Sequence, residues 1–302
     1  MNKENRMDFE KFTSVVEKKI KDLVGSEMRV ELHTNLKNNG EEKVGLVIRE
    51  KIINIAPTIY LEDYFELWKQ GKNLDEIVKD IWEFYQKVKV HKSYSVEYLK
   101  EFEQVKDSIV YKLINQKDNE LLLKDTPHIV YLDLAYVFYI LIEAGESGTT
   151  TMLIKQYNQE MWGVSTEELF RIAESNTCKV LKPDFQTMTS VISELLEGNT
   201  TGNQEEFEEE MMYVLTNKEK SYGAVCLLYP HMLETISEKL QDSFYVIPSS
   251  IHEVIIVPMQ KGPTREELDE MICDVNSTQL DPVEILSNHA YYYTTKEKRL
   301  LY

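Results

Sequence analysis

The chain has 302 residues, 42% of them apolar, with only 11 Gly and 8 Pro. That composition excludes a disordered or fibrous polymer and suits one large domain or two ordinary ones. The formal net charge of -18 is concentrated late, where residues 201–302 carry eight Lys and Arg against eighteen Asp and Glu, and a field of that sign repels phosphate backbones and anionic bilayers.

Phe9, Phe12, Val15, Val16, Ile20, Leu23 and Val24 recur at helical spacing, which predicts a helix over 8–24 stopped by Gly25. Arg29–Leu36 alternates, Asn38-Asn39-Gly40 is a hairpin signal, and Val44–Ile48 is the return strand. Ile52–Ile55 reads as a short third strand ended by Pro57. Helices over 61–71 and 73–88 follow, the second capped by Asn73, and two shorter helical patterns occupy 95–103 and 105–115.

A second region opens near Leu121. Ile129–Ile142 predicts a long strand, apolar or aromatic on both faces and so central to its sheet. Gly145 and Gly148 fit a hairpin turn before a return strand over 149–154. Helices are expected at 155–162, from a Ser165 cap to Glu174, and over Ser190–Glu197. Residues 198–210, GNTTGNQEEFEEE, read as an exposed acidic loop. Strands are then predicted at Met211–Thr216, Ala224–Leu228, Phe244–Ile247, Val254–Val257 and 289–294. Helices are predicted at Pro230–Leu240, Arg265–Val275 and 281–287. The expected fold is α+β, mainly antiparallel sheets with packed helices, in two closely associated lobes over 1–120 and 121–302.

Reactive residue types crowd once, in Pro248-Ser-Ser-Ile-His-Glu-Val254. A nucleophile needs a base within reach and a third group to orient it, and Ser249 or Ser250, His252 and Glu253 supply those types. In an extended segment, however, His252 and Glu253 point to opposite faces, and neither serine sits in a GxSxG elbow. The plainer expectation is a turn whose hydroxyls satisfy backbone groups before the Val254 strand. These four residues stand as a candidate binding or polar site, with no catalytic residue assigned.

Other chemistries lack a pattern. The histidines at 33, 91, 128, 231, 252 and 289 show no helical pairing, and Ile256 stands where a zincin would place its second histidine. Cys178, Cys226 and Cys273 are dispersed, which suits small buried residues in a reducing cytoplasm better than a disulfide or zinc framework. No phosphate-binding glycine loop occurs, and basic residues do not gather with aromatics. The aromatics Tyr64, Phe65 and Trp68, then Trp82, Phe84 and Tyr85, fall at helical spacing and are expected in a core. The opening MNKENRMDFEKF lacks the apolar stretch of a signal peptide, and no run approaches the ~20 apolar residues of a membrane helix. No cofactor and no metal are expected.

Several segments together resemble a known group. NIAPTIYLEDYFELWKQGKNLDEIVKDI (54–81), EMWGVSTEELFRIAESNT (160–177) and MYVLTNKEKSYGAVCLLYP (212–230) are similar to a bacterial domain-of-unknown-function family, number 5688. DLAYVFYILIE (133–143), FYVIPSSIHEVIIVP (244–258) and the tail DVNSTQLDPVEILSNHAYYY (274–293) extend the resemblance over nearly the whole chain. It implies one family-length unit and carries over no activity, cofactor or catalytic residue.

The expectation for function is a non-enzymatic cytoplasmic binding or regulatory protein, meeting a protein partner through its acidic C-terminal lobe. The alternative is a hydrolase-like enzyme using Pro248–Glu253, with Asp242, Asn276 or His289 brought near by folding. Imitation of nucleic acid is a third reading, requiring carboxylates in paired rows.

Overall fold

The computed structural model describes residues 8–302 except 52, 54–55, 90–95, 146–147, 198–210 and 261. The chain divides into two compact units. The first runs to Lys37 and resumes over Glu41–Glu101; the second takes Asn38–Gly40 and Phe102–Tyr302.

The first unit contains α1 (Phe9–Val24), β1 (Met28–Leu36), β2 (Glu42–Glu50), β3 (Thr58–Tyr60), α2 (Glu62–Lys69), α3 (Leu74–Val88) and α4 (Val96–Lys100). Asp8 caps α1 by accepting from the Lys11 N–H at 2.8 Å, and Gly25, at φ 62°, ends it. β1 and β2 pair antiparallel, setting Val30 opposite Ile48 and Leu32 opposite Leu46. The core joins Phe12, Val16 and Ile20 of α1 to Leu46 and Ile48 of β2 and to Ile77, Ile81 and Tyr85 of α3. Phe65, Trp68 and Trp82 pack on it half-buried, whereas Phe84 faces solvent at 43%. The strand expected at Ile52–Ile55 falls largely outside the described residues; β3 lies beyond Pro57 and pairs with β2.

The second unit opens with α5 (Phe102–Val105), β4 (Ile109–Asn115), α6 (Glu120–Leu123), β5 (His128–Tyr131), β6 (Leu134–Gly145) and β7 (Gly148–Leu153). It continues with α7 (Gln156–Trp162), α8 (Thr166–Val180), β8 (Pro183–Thr187), α9 (Met188–Glu197), β9 (Tyr213–Asn217) and a 3-10 turn over Gly223–Leu228. It closes with α10 (Met232–Leu240), β10 (Phe244–Ile247), β11 (Val254–Pro258), α11 (Arg265–Thr278), β12 (Tyr291–Tyr293) and β13 (Leu300–Leu301). Among the described residues the strands form three mainly antiparallel sheets, so the architecture is α+β.

Several segments differ from expectation; the helix expected over 281–287 is only a 3-10 turn at Pro282–Glu284, and the strand β8 was not expected. Residues 109–115 are strand, not helix: Val105, Ile109 and Leu113 imitate a helical stripe, but β4 is buried on both faces, where periodicity cannot separate the two. The single strand over 129–142 is a hairpin, because Leu132 takes a left-handed φ of 55° and turns β5 back along β6. β6 is the central strand, with β4 on one side and β5 and β7 on the other, and Leu134–Ile140 is buried throughout. Residues 224–228 are not strand but 3-10 turn, buried from Gly223 to Leu227.

The other sheet of this unit runs β13-β12-β10-β11-β9-β8. One face carries Tyr213, Leu215, Phe244, Val246, Val254 and Ile256, all buried. The opposite face carries Tyr245, Ile247, Ile255 and Val257, which meet Leu268 and Ile272 of α11. α9 packs on that same face over β8 and β9.

Between α11 and β12 an irregular segment, buried at Leu286, Ser287 and Ala290, is satisfied by side-chain amides. Asn38 Nδ2 donates to the Val283 carbonyl at 2.9 Å, and Asn39 Nδ2 donates to Pro282 and Ile285 at 2.8 and 2.7 Å. Asn115 and Asn276 serve Leu286 and Ser287 at 3.1 and 2.9 Å. Asparagine supplies donors that no strand partner offers here.

Candidate functional site

The four residues singled out between β10 and β11 do not converge. Ser249 accepts the Leu286 N–H on its carbonyl at 3.0 Å, and Ile251 donates its N–H to Glu284 at 2.8 Å. Ser250 is buried and its Oγ accepts from the backbone N–H of His252 at 2.9 Å, a local turn contact. The imidazole turns elsewhere. His252 Nδ1 accepts from the Tyr222 N–H at 3.2 Å, which leaves the neutral ring its proton on Nε2. Nε2 lies 3.8 Å from Glu284 Oε1, and the ring stacks on Tyr222 at 5.4 Å. Lys112 stands over the Tyr222 ring 4.2 Å from its centre. Glu253 follows the alternation to the other face and borders a cleft.

The close approach of the Gly223–Leu228 turn to β9 and to His252 explains one glycine. A side chain at Gly223 would meet Thr216 Oγ1 and, at 2.5 Å, the His252 carbonyl. Those same two groups are joined by a hydrogen bond, Thr216 Oγ1 donating to His252 O at 2.8 Å.

Asp242, Asn276 and His289 are not brought to His252. Asp242 accepts from the Gln260 N–H at 2.9 Å, and Asn276 holds the Ser287 carbonyl. His289 joins a cluster that no sequence motif indicated. Asp133, at the β5–β6 turn, accepts from the Tyr291 hydroxyl at 2.6 Å and the Ser287 hydroxyl at 2.9 Å. His289 Nε2 is 3.5 Å from the same carboxylate. Burial, then the Asp133 charge, pushes the Tyr291 phenol well above its ordinary range. The carboxylate stands between hydroxyl and imidazole, so the Ser287 hydroxyl donates its hydrogen bond to Asp133 and not to a histidine base. That order anchors the tail segment; a nucleophile needs the imidazole in the middle.

The cleft under α9 has the composition of a binding site. It encloses ≈ 320 Å³, at the lower end of the about 300–1,000 Å³ found for ligand pockets. Met188, Val191 and Leu195 of α9 form one wall, and Val214 and Ile255 on neighbouring strands form the other. Asp184, Gln186, Thr216, Lys220 and Glu253 complete the lining. Gln186 Nε2 donates to Asp184 at 3.1 Å and to Glu194 at 3.3 Å, and Lys220 Nζ lies 3.5 Å from Glu194. Glu194 thus has Lys220 as an ion-pair partner. Asp184 and Glu253 have no cation within salt-bridge distance among the described residues. This leaves two uncompensated carboxylates beside an apolar slot.

β8 positions Asp184 and Gln186 by alternation, and Thr187 both ends that strand and caps α9, its Oγ1 accepting from the Ser190 N–H at 3.1 Å. From sequence only Glu253 of this site was singled out. The remaining signal was the apolar stripe of α9, which becomes visible when the helix is begun at Met188 and not at Ser190.

Among the described residues no three His, Cys, Asp or Glu side chains converge as metal ligands, and no helix is long and apolar enough to cross a membrane. Burial pushes the Cys226 thiol up to about 12, as befits a small apolar core residue. No curated protein and no solved structure matches the chain. The model of a family of unknown function, DUF5688, matches residues 9–295, nearly the entire sequence, and the chain belongs to that family.

Proposed function

We propose that the protein is a non-enzymatic binding protein of the bacterial cytoplasm, regulatory in role, that receives a protein partner on its acidic second unit at the cleft under α9. The observation that carries this reading is the pairing of an apolar slot with two carboxylates that have no cation within salt-bridge distance among the described residues. Aliphatic walls with few polar groups suit recognition, which buries apolar area and orients it by charge. The surplus of acid over residues 201–302 favours a basic partner and disfavours nucleic acid. Hydrolysis at Pro248–Glu253 would need a serine hydroxyl aimed at an imidazole, whereas Ser250 Oγ serves its own turn and His252 Nδ1 serves Tyr222.

The test is affinity capture with the full chain and with Leu195→Glu, a substitution at a residue 78% exposed and therefore tolerable to the fold. Partners enriched on the wild type and lost from the variant are expected. Turnover of ester or amide probes that disappears in Ser250→Ala, with no cleft-dependent partner, would overturn the proposal.

A further inference from the structure

α9 reads Met188-Thr-Ser-Val-Ile-Ser-Glu-Leu-Leu-Glu197, with apolar residues at 188, 191, 192, 195 and 196. That is a full helical stripe, spaced i, i+3, i+4, i+7 and i+8. The sheet covers only part of it: Ile192 is 48% exposed, Leu195 78% and Leu196 80%. An uncovered stripe of that spacing on a helix of about 15 Å is the surface against which a second helix packs.

The rim selects the sign of the occupant. Lys220 is engaged by Glu194, and Asp184 and Glu253 face the slot without a cation among the described residues. An acidic helix would bring like charges together. A second copy of this chain would set Asp184 and Glu253 against their own equivalents, on a protein whose net charge is already -18. An anionic bilayer meets the same repulsion.

We infer that the occupant of the cleft is an amphipathic helix with basic flanks, its apolar face on the α9 stripe and a Lys or Arg reaching Asp184 and Glu253. This inference rests on the binding reading above and adds the partner's chemistry to it.

The test uses labelled synthetic helices carrying leucine at i, i+3, i+4 and i+7, flanked in turn by lysine, glutamine or glutamate, titrated against the full chain by fluorescence anisotropy. The lysine helix is expected to bind most tightly and the glutamate helix least. Leu195→Glu should weaken the lysine helix by about tenfold or more, and the double variant Asp184→Lys/Glu253→Lys should do likewise while sparing the glutamine helix. Glu297→Lys, between β12 and β13 at the opposite edge of the same sheet, is the remote control and should change affinity less than about twofold. If Leu195→Glu abolishes binding but the charge reversal does not, the basic flank is wrong and the binding reading stands. If neither substitution matters, both fail. Self-association or capture by phosphatidylserine vesicles that is abolished by Leu195→Glu, without helix binding, would also overturn the inference.

Discussion

α11 and α9 rest on the same face of the six-stranded sheet, yet they are unequally covered: α11 leaves Met271 and Val275 at 47% and 39% exposure, whereas α9 leaves Leu195 and Leu196 at 78% and 80%. Leu268 and Ile272 of α11 are buried against Ile247, Val257 and Ala290. α9 presents a comparable apolar stripe and leaves two leucines mostly in water. Both starts are capped: Thr264 and Glu267 form a reciprocal capping box on α11, and Thr187 caps α9. The difference therefore lies in packing and not in helix formation. A core is complete where the sheet and a helix match in width; where the helix keeps excess apolar surface, that surface is available to a partner.

The contrast can be broken by mutation. Leu268→Ala, which empties a fully buried site, should cost about 2–5 kcal/mol in urea unfolding. A much smaller loss would mean that α11 is no better seated than α9. Next in size, Thr264→Ala should cost about 1 kcal/mol through the lost cap. The same cap gives an acid limb. The Thr264 backbone N–H, then its hydroxyl, holds Glu267 below the usual carboxylate range. A depressed folded value stabilises above the unfolded pKa and is lost as pH falls through the folded one. The stability gap between wild type and Glu267→Gln should therefore be present at neutral pH and close below about pH 4. The smallest effect belongs to α9: Leu196→Ser should move the unfolding free energy by no more than about 0.5 kcal/mol. A loss above that would show the exposed stripe to be core after all.

Much of the fold was legible because local signals agreed with tertiary demand. The Asn73 cap, the strand Phe244–Ile247 and the start of α11 at Arg265 stand where the sequence put them. Errors arose where burial of nearly every residue erased periodicity, as in β4 and the Gly223–Leu228 turn. The site was less legible for a different reason. Linear neighbours such as Ser250, His252 and Glu253 are sent to different environments by a turn and by strand alternation. Groups that do meet, such as Asp133 with Ser287 and Tyr291, are remote in the chain, and nothing in either segment marks the other. The cleft draws on β8, α9, β9 and β11 and is a property of their assembly.

The Asn39 amide has one more implication, a matter of chemical ageing. Asn39 precedes Gly40, and an asparagine followed by glycine is the pair whose backbone nitrogen most readily closes on the side-chain carbonyl and expels ammonia. Hydrolysis of that ring would turn a donor held between two carbonyl oxygens into an anion facing both. The reaction runs one way, so at the segment this amide secures a single slow event would replace attraction by repulsion for good, with no enzyme required.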